Sequence, residues 1–380
     1  MKILLLHQYF KTPLQGGGIR SYHITKALAR AGHDVKVVTA HDQAESIEHV
    51  KGTEVHYLQV PYANHFSLVR RLFAFWSYYI KALKRIDELD RADLVYAIST
   101  PLSVGWLGKK VSEKWRVKLV FEVGDLWPEV PIQMGVVKNP LLLKWLYKAE
   151  KSIYESANNI IALSPDIADY IKKKTERPVT VVPNMSDIDF FEHTKSNVQD
   201  PFVIGYLGTI GVANHLEYLL DVAQSAEEQE MSVQFLIMGE GGRLPAIQEQ
   251  IKKRGLKSIA VKKKSDMKGV RDAINSCQAI FLSFQDISIL HSGSPNKLFD
   301  GLAAGKIIIS NLTGWTKKII EESETGICYR PDEPEDACQR IRQLLDNPDM
   351  VYQMQENARK LAEEHYSVEK LTNKVLKLIN

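Results

Sequence analysis

Cysteine is scarce in this chain: its 380 residues include only Cys277, Cys328 and Cys338. An odd number at no metal-like spacing argues against a disulfide framework and against a thiolate metal centre, so all three read as structural thiols. No run of about 18 apolar residues occurs, which excludes a membrane-spanning helix. Residues Met1 to His7 lack a basic segment followed by an apolar stretch and a cleavage site. They read as a first strand rather than a secretory leader, and a cytoplasmic protein is expected. Low-complexity segments are missing as well. A net charge of +3 gives no general electrostatic case for nucleic-acid recognition.

The composition that remains, 44% hydrophobic and 25% charged, is that of an ordinary globular protein, and the length suits two domains of roughly 150 to 200 residues. Charge is unevenly spread: residues 1–196 carry 27 Lys and Arg against 21 Asp and Glu, a surplus of +6, while the remainder is at −3. In the first half, short β-branched and aliphatic runs predict strands at Lys2 to Leu6, Asp34 to Thr39, Glu54 to Val60, Leu94 to Ile98, Lys118 to Val123, Ile160 to Leu163 and Val179 to Val182. Amphipathic stretches such as Arg20 to Ala31 and Ser103 to Trp115 lie between them. The alternation pauses in the polar Ser196 to Pro201. It restarts with Phe202 to Leu207, Val233 to Met238, Ala260 to Lys262, Ala279 to Ser283 and Lys306 to Ser310, and ends in three helices, Glu335 to Asp346, Asp349 to His365 and Val368 to Ile379. Near-continuous apolar strands alternating with helices imply an α/β fold of two doubly wound parallel sheets, 1–196 and 197–365. In such folds ligands bind at the carboxyl ends of the strands, here expected to face one another across a cleft.

Several local patterns carry chemistry. The segment SPNKLFDGLAAGKIIIS, Ser294 to Ser310, reads as a helix with Ser294 as N-cap, Pro295 at the first helical position, a buried stripe of Leu298, Phe299, Leu302 and Ala303, and Gly305 at its end. Its first-turn amides and positive dipole end offer an anion site to which Lys297 adds a full charge, with Asp300 one turn on. Gly16, Gly17 and Gly18 follow the first strand and precede a helix near Arg20, but without the spacing of a dinucleotide fingerprint. Gly208, Thr209 and Gly211 follow the first strand of the second series, and Gly239, Glu240 and Gly241 follow the next. Glycines at strand ends also serve plain turns. Three such turns together with the Lys297 helix favour a nucleotide ligand.

These pieces, GGGIRSYHITKALARAGHDVKVVT, VVPNMSDIDFF, YLGTIG, LIMGEGG and SPNKLFDGLAAGKIIIS, resemble in order and spacing the retaining glycosyltransferases of family 4, with the GT-B fold of two Rossmann-like domains. GDLWPE at Gly124 to Glu129 resembles members that build bacterial surface polysaccharides such as O-antigen or capsule, often from N-acetylated or deoxy-sugar donors. The resemblance implies an acceptor-binding first domain, with the helix of about 366–380 packing back on it, and a nucleotide-sugar-binding second domain. It implies that Asp300 holds the ribose hydroxyls, that Lys297 and the backbone from Gly293 through Ser294 and Pro295 to Asn296 meet the diphosphate, and that Gly239, Glu240 and Gly241 border the base. Gly208, Thr209 and Gly211 complete the donor site. The family signature ExxxxxxxE is degenerate, with Ser292 in place of the first acid and Asp300 in place of the second. The basic pair common after the YLGTIG loop is missing from Val212 to Leu219, which leaves Lys297 more of the phosphate charge, shared with Arg243 or Lys262. Gly17 and Gly18 are expected to approach the donor phosphate or acceptor, and Arg20 an acceptor phosphate. Asp125 is expected to orient the acceptor hydroxyl or stabilise positive charge on the sugar, beside Trp127 and Glu129; the rival reading has Trp127 and Pro128 fold that loop and Glu129 cap the helix that follows. The implied reaction uses a nucleoside diphosphate sugar, UDP-linked, with no cofactor and no divalent metal, in keeping with the lack of a DxD-type strand end.

The stretch Leu68 to Arg85, LVRRLFAFWSYYIKALKR, combines Arg70, Arg71, Lys81, Lys84 and Arg85 with five aromatic residues. That pattern suits a helix lying on an anionic membrane, with a core helix of basic ends as the rival reading. A lipid-linked saccharide acceptor on the cytoplasmic membrane face follows as the expectation. Two other functions compete with glycosyl transfer: a sugar-nucleotide epimerase of related architecture, and a non-catalytic sugar-nucleotide or membrane-binding subunit.

Overall fold

The computed structural model describes residues 1–63, 66–193 and 200–379. The chain divides into two compact units: one of Met1–Thr12, Ile19–Pro183 and Leu371–Asn380, the other of Pro13–Gly18 and Asn184–Lys370. The sequence places the change of domain at 196–197, which lies outside the described residues, whereas the units divide between Pro183 and Asn184. The glycine loop of residues 13–18 groups with the second unit, a correction to a first domain running unbroken from residue 1 to 196.

The first unit is built on eight strands in the order β3-β4-β2-β1-β5-β6-β7-β8. They are β1 (Lys2–Leu6), β2 (Asp34–His41), β3 (Ser46–Val50), β4 (Thr53–Gln59), β5 (Leu94–Ile98), β6 (Lys118–Val123), β7 (Asn159–Ala162) and β8 (Val179–Val181). All neighbours pair in parallel except β3 with β4. The sequence pattern misses β3 because Ser46–Val50 is an edge strand with its central residues in solvent, so it carries no buried apolar run. The central strands are buried on both faces, as expected for a parallel sheet covered by helices. Helix Val368–Ile379 returns its last residues to this unit, where Lys374 Nζ donates to the Val181 carbonyl at 2.8 Å and Asn159 Nδ2 to the Leu378 carbonyl at 3.1 Å.

The second unit has six parallel strands, β9 (Phe202–Thr209), β10 (Val233–Glu240), β11 (Ile259–Lys263), β12 (Ala279–Leu282), β13 (Ile307–Ser310) and β14 (Gly326–Cys328), in the order β11-β10-β9-β12-β13-β14. This is the 3-2-1-4-5-6 order of a Rossmann sheet, and the winding reverses between β9 and β12. In the first unit the reversal falls between β1 and β5. The three-residue β14 was not read from the sequence, since so short a run has no periodicity. The three thiols are buried and unpaired.

Gly305 ends helix Asn296–Ala303 at φ +63°, and a Cβ there would fall 2.2 Å from the His193 ring. Replacement Gly305→Ala is expected to destabilise the protein by at least about 1 kcal/mol through the left-handed backbone alone, and by more through the ring clash, as read by denaturant unfolding.

Candidate active site

In the second unit the site grows from the start of helix Asn296–Ala303. Leu298, Phe299, Leu302 and Ala303 are fully buried, which anchors the helix as its periodicity requires. The helix begins two residues later than a Ser294 cap would give: Pro295 is the capping residue, in extended conformation at φ −73° and ψ 128°. Ser294 is not available as a cap because its Oγ accepts the Asn184 amide at 3.0 Å, while its carbonyl accepts Asn184 Nδ2. The loop ahead of it is held by Trp315, whose Nε1 donates to the Gly293 carbonyl at 3.0 Å. Asn184 and Trp315 therefore fix the turn ahead of the helix, although neither stood out from the sequence.

Lys297 points into the unit rather than out of it. Its Nζ is shielded from solvent with no hydrogen-bond partner among the described residues. It lies 4.0 Å from the centre of the Tyr206 ring and 5.5 Å from that of Phe284. Burial pushes the ammonium down to about 7, so the charge taken for granted from the sequence is only partly present at neutral pH. Tyr206 belongs to β9 and Phe284 follows β12, so this amine sits at the switch point of the sheet. Gly208, at φ +145°, leaves the amine its space: a Cβ there would stand 3.3 Å from Lys297 Cε and 3.5 Å from Nζ. Asp300, one turn along the same helix, is pushed up to about 7 by burial and then by the nearby Asp187.

The strand ends gather round this point. Gly208 and Thr209 pair with Gly239 and Glu240 across β9 and β10. Gly239 passes so close to Gly208 that a Cβ would fall 1.8 Å from its carbonyl oxygen, and one on Gly241 would fall 2.2 Å from that of Ile210. Gly211 opens the short turn Val212–Asn214. The first glycine loop belongs here too: a Cβ on Gly18 would lie 3.1 Å from Asn296 Nδ2, and Gly17 sits at φ +88°. Two expected contributors form ion pairs of their own. Arg243 pairs with Glu217, and Glu240 forms an exposed ion pair with Lys264 at 2.7 Å. Lys262 lies exposed on the edge strand β11. Ser292, in place of the signature acid, caps the short helix Ser288–His291 and donates from Oγ to the Ile289 carbonyl at 2.7 Å.

In the first unit Asp125 follows β6 at the protein surface, and its Oδ2 accepts from Thr100 Oγ1, beyond β5, at 3.1 Å. Arg20 is neither a solvated helix residue nor a free phosphate ligand. Its side chain is only 9% exposed and forms a fork to Glu122, Nε to Oε1 at 2.8 Å and Nη2 to Oε2 at 3.1 Å, with Nη1 on the Pro183 carbonyl. Burial lowers its affinity for a proton, but Glu122 more than offsets this. Tyr96 Oη donates to the same carboxylate at 2.6 Å. A glutamate inside the apolar run KLVFEV was the signal for this partner. Trp127 meets the Phe75 ring edge-on at 5.9 Å. Glu129 begins helix Glu129–Gln133 and accepts from Gln133 and Tyr147, each at 2.8 Å.

Helix Leu68–Asp87 is two-faced. Ala74, Phe75, Tyr78, Ala82 and Ile86 are buried, while Val69, Leu72, Phe73, Trp76 and Ile80 are exposed. One face is thus core, as the rival reading has it, and the other is apolar and exposed. Lys81 and Arg85 do not face outward as free cations, because both pair with Glu45, at 3.2 and 3.4 Å. Among the described residues no helix is long and apolar enough to cross a membrane, and no group of three or more His, Cys, Asp or Glu side chains is placed to hold a metal ion.

Residues 15–185 match the glycosyl transferase 4-like domain and residues 188–361 the glycosyl transferases group 1 domain. The chain belongs to the glycosyltransferases built from this pair of domains, with the GT-B fold. It is 21% identical over 243 residues to an alpha-D-kanosaminyltransferase of Streptomyces kanamyceticus, 60% of each chain. It is also 21% identical over 238 residues to a poly(ribitol-phosphate) alpha-N-acetylglucosaminyltransferase of Staphylococcus aureus, 61% of this chain and 46% of that one. The matched region thus spans between about half and three fifths of these relatives. Among solved structures, Anabaena HepE in complex with UDP-glucose superposes with a TM-score of 0.72 at 17% identity, over 100% of this chain and 99% of that one.

Because the Arg20–Glu122 fork is buried, Glu122→Ala is expected to cost about 3 to 5 kcal/mol of stability by stranding the guanidinium, measured by chemical denaturation. Loss of activity at unchanged stability would instead assign Arg20 to ligand binding.

Proposed function

We propose that this glycosyltransferase transfers a sugar from a UDP-linked donor, N-acetylated or deoxy, to a lipid-linked saccharide, with retention at the anomeric carbon, during surface-polysaccharide synthesis. The observation that carries the reading is the buried, partnerless amine of Lys297 beneath the glycine turns at the switch point of the second sheet. A cation kept out of water without a counter-charge is costly, and a diphosphate supplies what it lacks. The HepE structure with UDP-glucose and the poly(ribitol-phosphate) named for the Staphylococcus relative support a UDP-sugar donor and a polymer acceptor.

In this reaction Lys297 and the backbone N–H groups of Gly293, Ser294 and Asn296, in the turn that leads into its helix, take up the charge that develops on the diphosphate as the bond from the anomeric carbon breaks. Asp300 receives the ribose hydroxyls. Gly239, Glu240 and Gly241 border the base, and Gly208, Thr209 and Gly211 line the phosphates, joined by Gly17 and Gly18. On the first unit Asp125, supported by Thr100, orients the acceptor hydroxyl or stabilises positive charge on the sugar, with Trp127 and Glu129 flanking it. No divalent metal or cofactor is required, since the helix end and Lys297 supply the electrophilic assistance. The protein works at the cytoplasmic face of the membrane as a peripheral enzyme, approaching it through the exposed face of helix Leu68–Asp87.

Nucleotide release measured with UDP-, GDP- and ADP-sugars, with and without lipid acceptor, tests the proposal. Tight nucleotide binding with neither transfer nor hydrolysis for any pair would overturn it, and an α-product from an α-donor checks retention. Lys297→Ala is expected to lower kcat/KM at least 10²-fold, the order found when a charge-stabilising donor is removed from an active site, while excess EDTA leaves the wild-type rate unchanged. Diphosphate binding should be tightest below pH 7 and weaken as pH rises towards 9, approaching about tenfold per unit. The free amine loses its proton through about 7 and the complex must restore it. Calorimetric titration across this range checks the sign, and Lys297→Ala should flatten the dependence.

A further inference from the structure

We propose that the first unit carries a two-part docking surface for an anionic bilayer, in which the start of helix Pro140–Ser156 inserts beside the outer face of helix Leu68–Asp87. The inference rests on the membrane placement proposed above and extends it to a second helix. On the first helix the exposed stripe runs Val69, Leu72, Phe73, Trp76 and Ile80, spacings that keep all five on one side, with Val69 77% and Phe73 74% exposed. On the second helix Leu141 is 79% exposed, beside Leu142 and Trp145. Trp106, on helix Leu102–Trp115, bridges them: its ring centre is 6.3 Å from Trp76 and 4.8 Å from Trp145. Three tryptophans in line join two exposed apolar faces into one patch, and indole rings favour the interface between headgroups and acyl chains.

Charge selects the occupant. No Asp or Glu occurs from Val55 to Ile86, nor from Val130 to Ala149. Arg70 and Lys84 on the first helix, and Lys138, Lys144 and Lys148 on and ahead of the second, are exposed at its border and form no ion pair among the described residues. Arg70 stacks on Phe66, its Cζ 3.6 Å from the ring centre. Two copies of this chain meeting through these two stretches would set cations against cations, since neither stretch carries an acid. Anionic headgroups complement the same border, and the apolar centre meets acyl chains.

The test is flotation of the full-length protein with phosphatidylcholine vesicles containing 30% phosphatidylglycerol and with pure phosphatidylcholine vesicles. The expected result is at least tenfold stronger partitioning to the anionic vesicles. Leu141→Ser with Trp145→Ser, and separately Phe73→Ser, should each reduce it at least fivefold, with the circular dichroism spectrum and the UDP affinity unchanged. Retained binding in the Leu141, Trp145 variant alongside loss in the Phe73 variant would overturn the second helix and spare the first. Absence of vesicle binding, or a wild-type dimer by light scattering that the same substitutions dissolve, would overturn the surface altogether. Transfer to a water-soluble saccharide acceptor, measured in parallel, separates this failure from failure of the glycosyl-transfer reading.

Discussion

The desolvated ammonium of Lys297 is the constraint to which the second unit is fitted. Two aromatic rings and a glycine surround an amine that has lost water and gained no counter-charge. Such a group is tolerated because it can shed its proton near neutrality, and because the rings favour its charged form when the proton stays. Its position must then be held against the tendency of a lysine to swing into solvent. The stripe of Leu298, Phe299 and Leu302 pins the helix, Asn184 and Trp315 pin the turn before it, and Gly208 keeps the slot open. Pre-organisation of this kind means that the cost of ordering and drying the cation is met during folding rather than on binding.

The charges of the first unit show the opposite solution. Arg20 and Glu122 are as deeply placed, yet each satisfies the other in a fork, with Tyr96 and the Pro183 carbonyl taking further positions. A saturated pair ties helix Arg20–Arg30 to β6 and leaves little to offer a ligand. The contrast between a satisfied pair and a stranded amine separates scaffold from chemistry better than residue type does. Asp125 stands between these extremes, held by Thr100 but open to solvent at the end of its strand.

Strands and helices were largely legible because burial imposes periodicity. Lys2–Leu6, Leu94–Ile98, Lys118–Val123 and Val368–Ile379 fall at the expected bounds, and glycine turns sit at strand ends where the pattern put them. Failures cluster where partners are distant in sequence. Ser294 has every local property of an N-cap, yet Asn184 occupies its hydroxyl from 110 residues away. Arg20 looked available until Glu122, 102 residues on, was folded against it. Lys81 and Arg85 belong to a basic, aromatic helix but spend their charge on Glu45. The edge strand Ser46–Val50 escaped because water, not a core, faces its side chains.

Alternating apolar runs, glycines at strand ends and the SPNK turn were therefore sufficient, by themselves, to determine two doubly wound sheets and the helix that bears Lys297, since hydrophobic period and backbone conformation are properties of neighbouring residues. Tertiary structure alone decided which charges are neutralised and which are stranded, where each unit begins, and that the glycine loop of residues 13–18 joins the second unit. The reason is physical: the cost of a charge depends on the water and partners around it, and those are supplied by residues a hundred or more positions away.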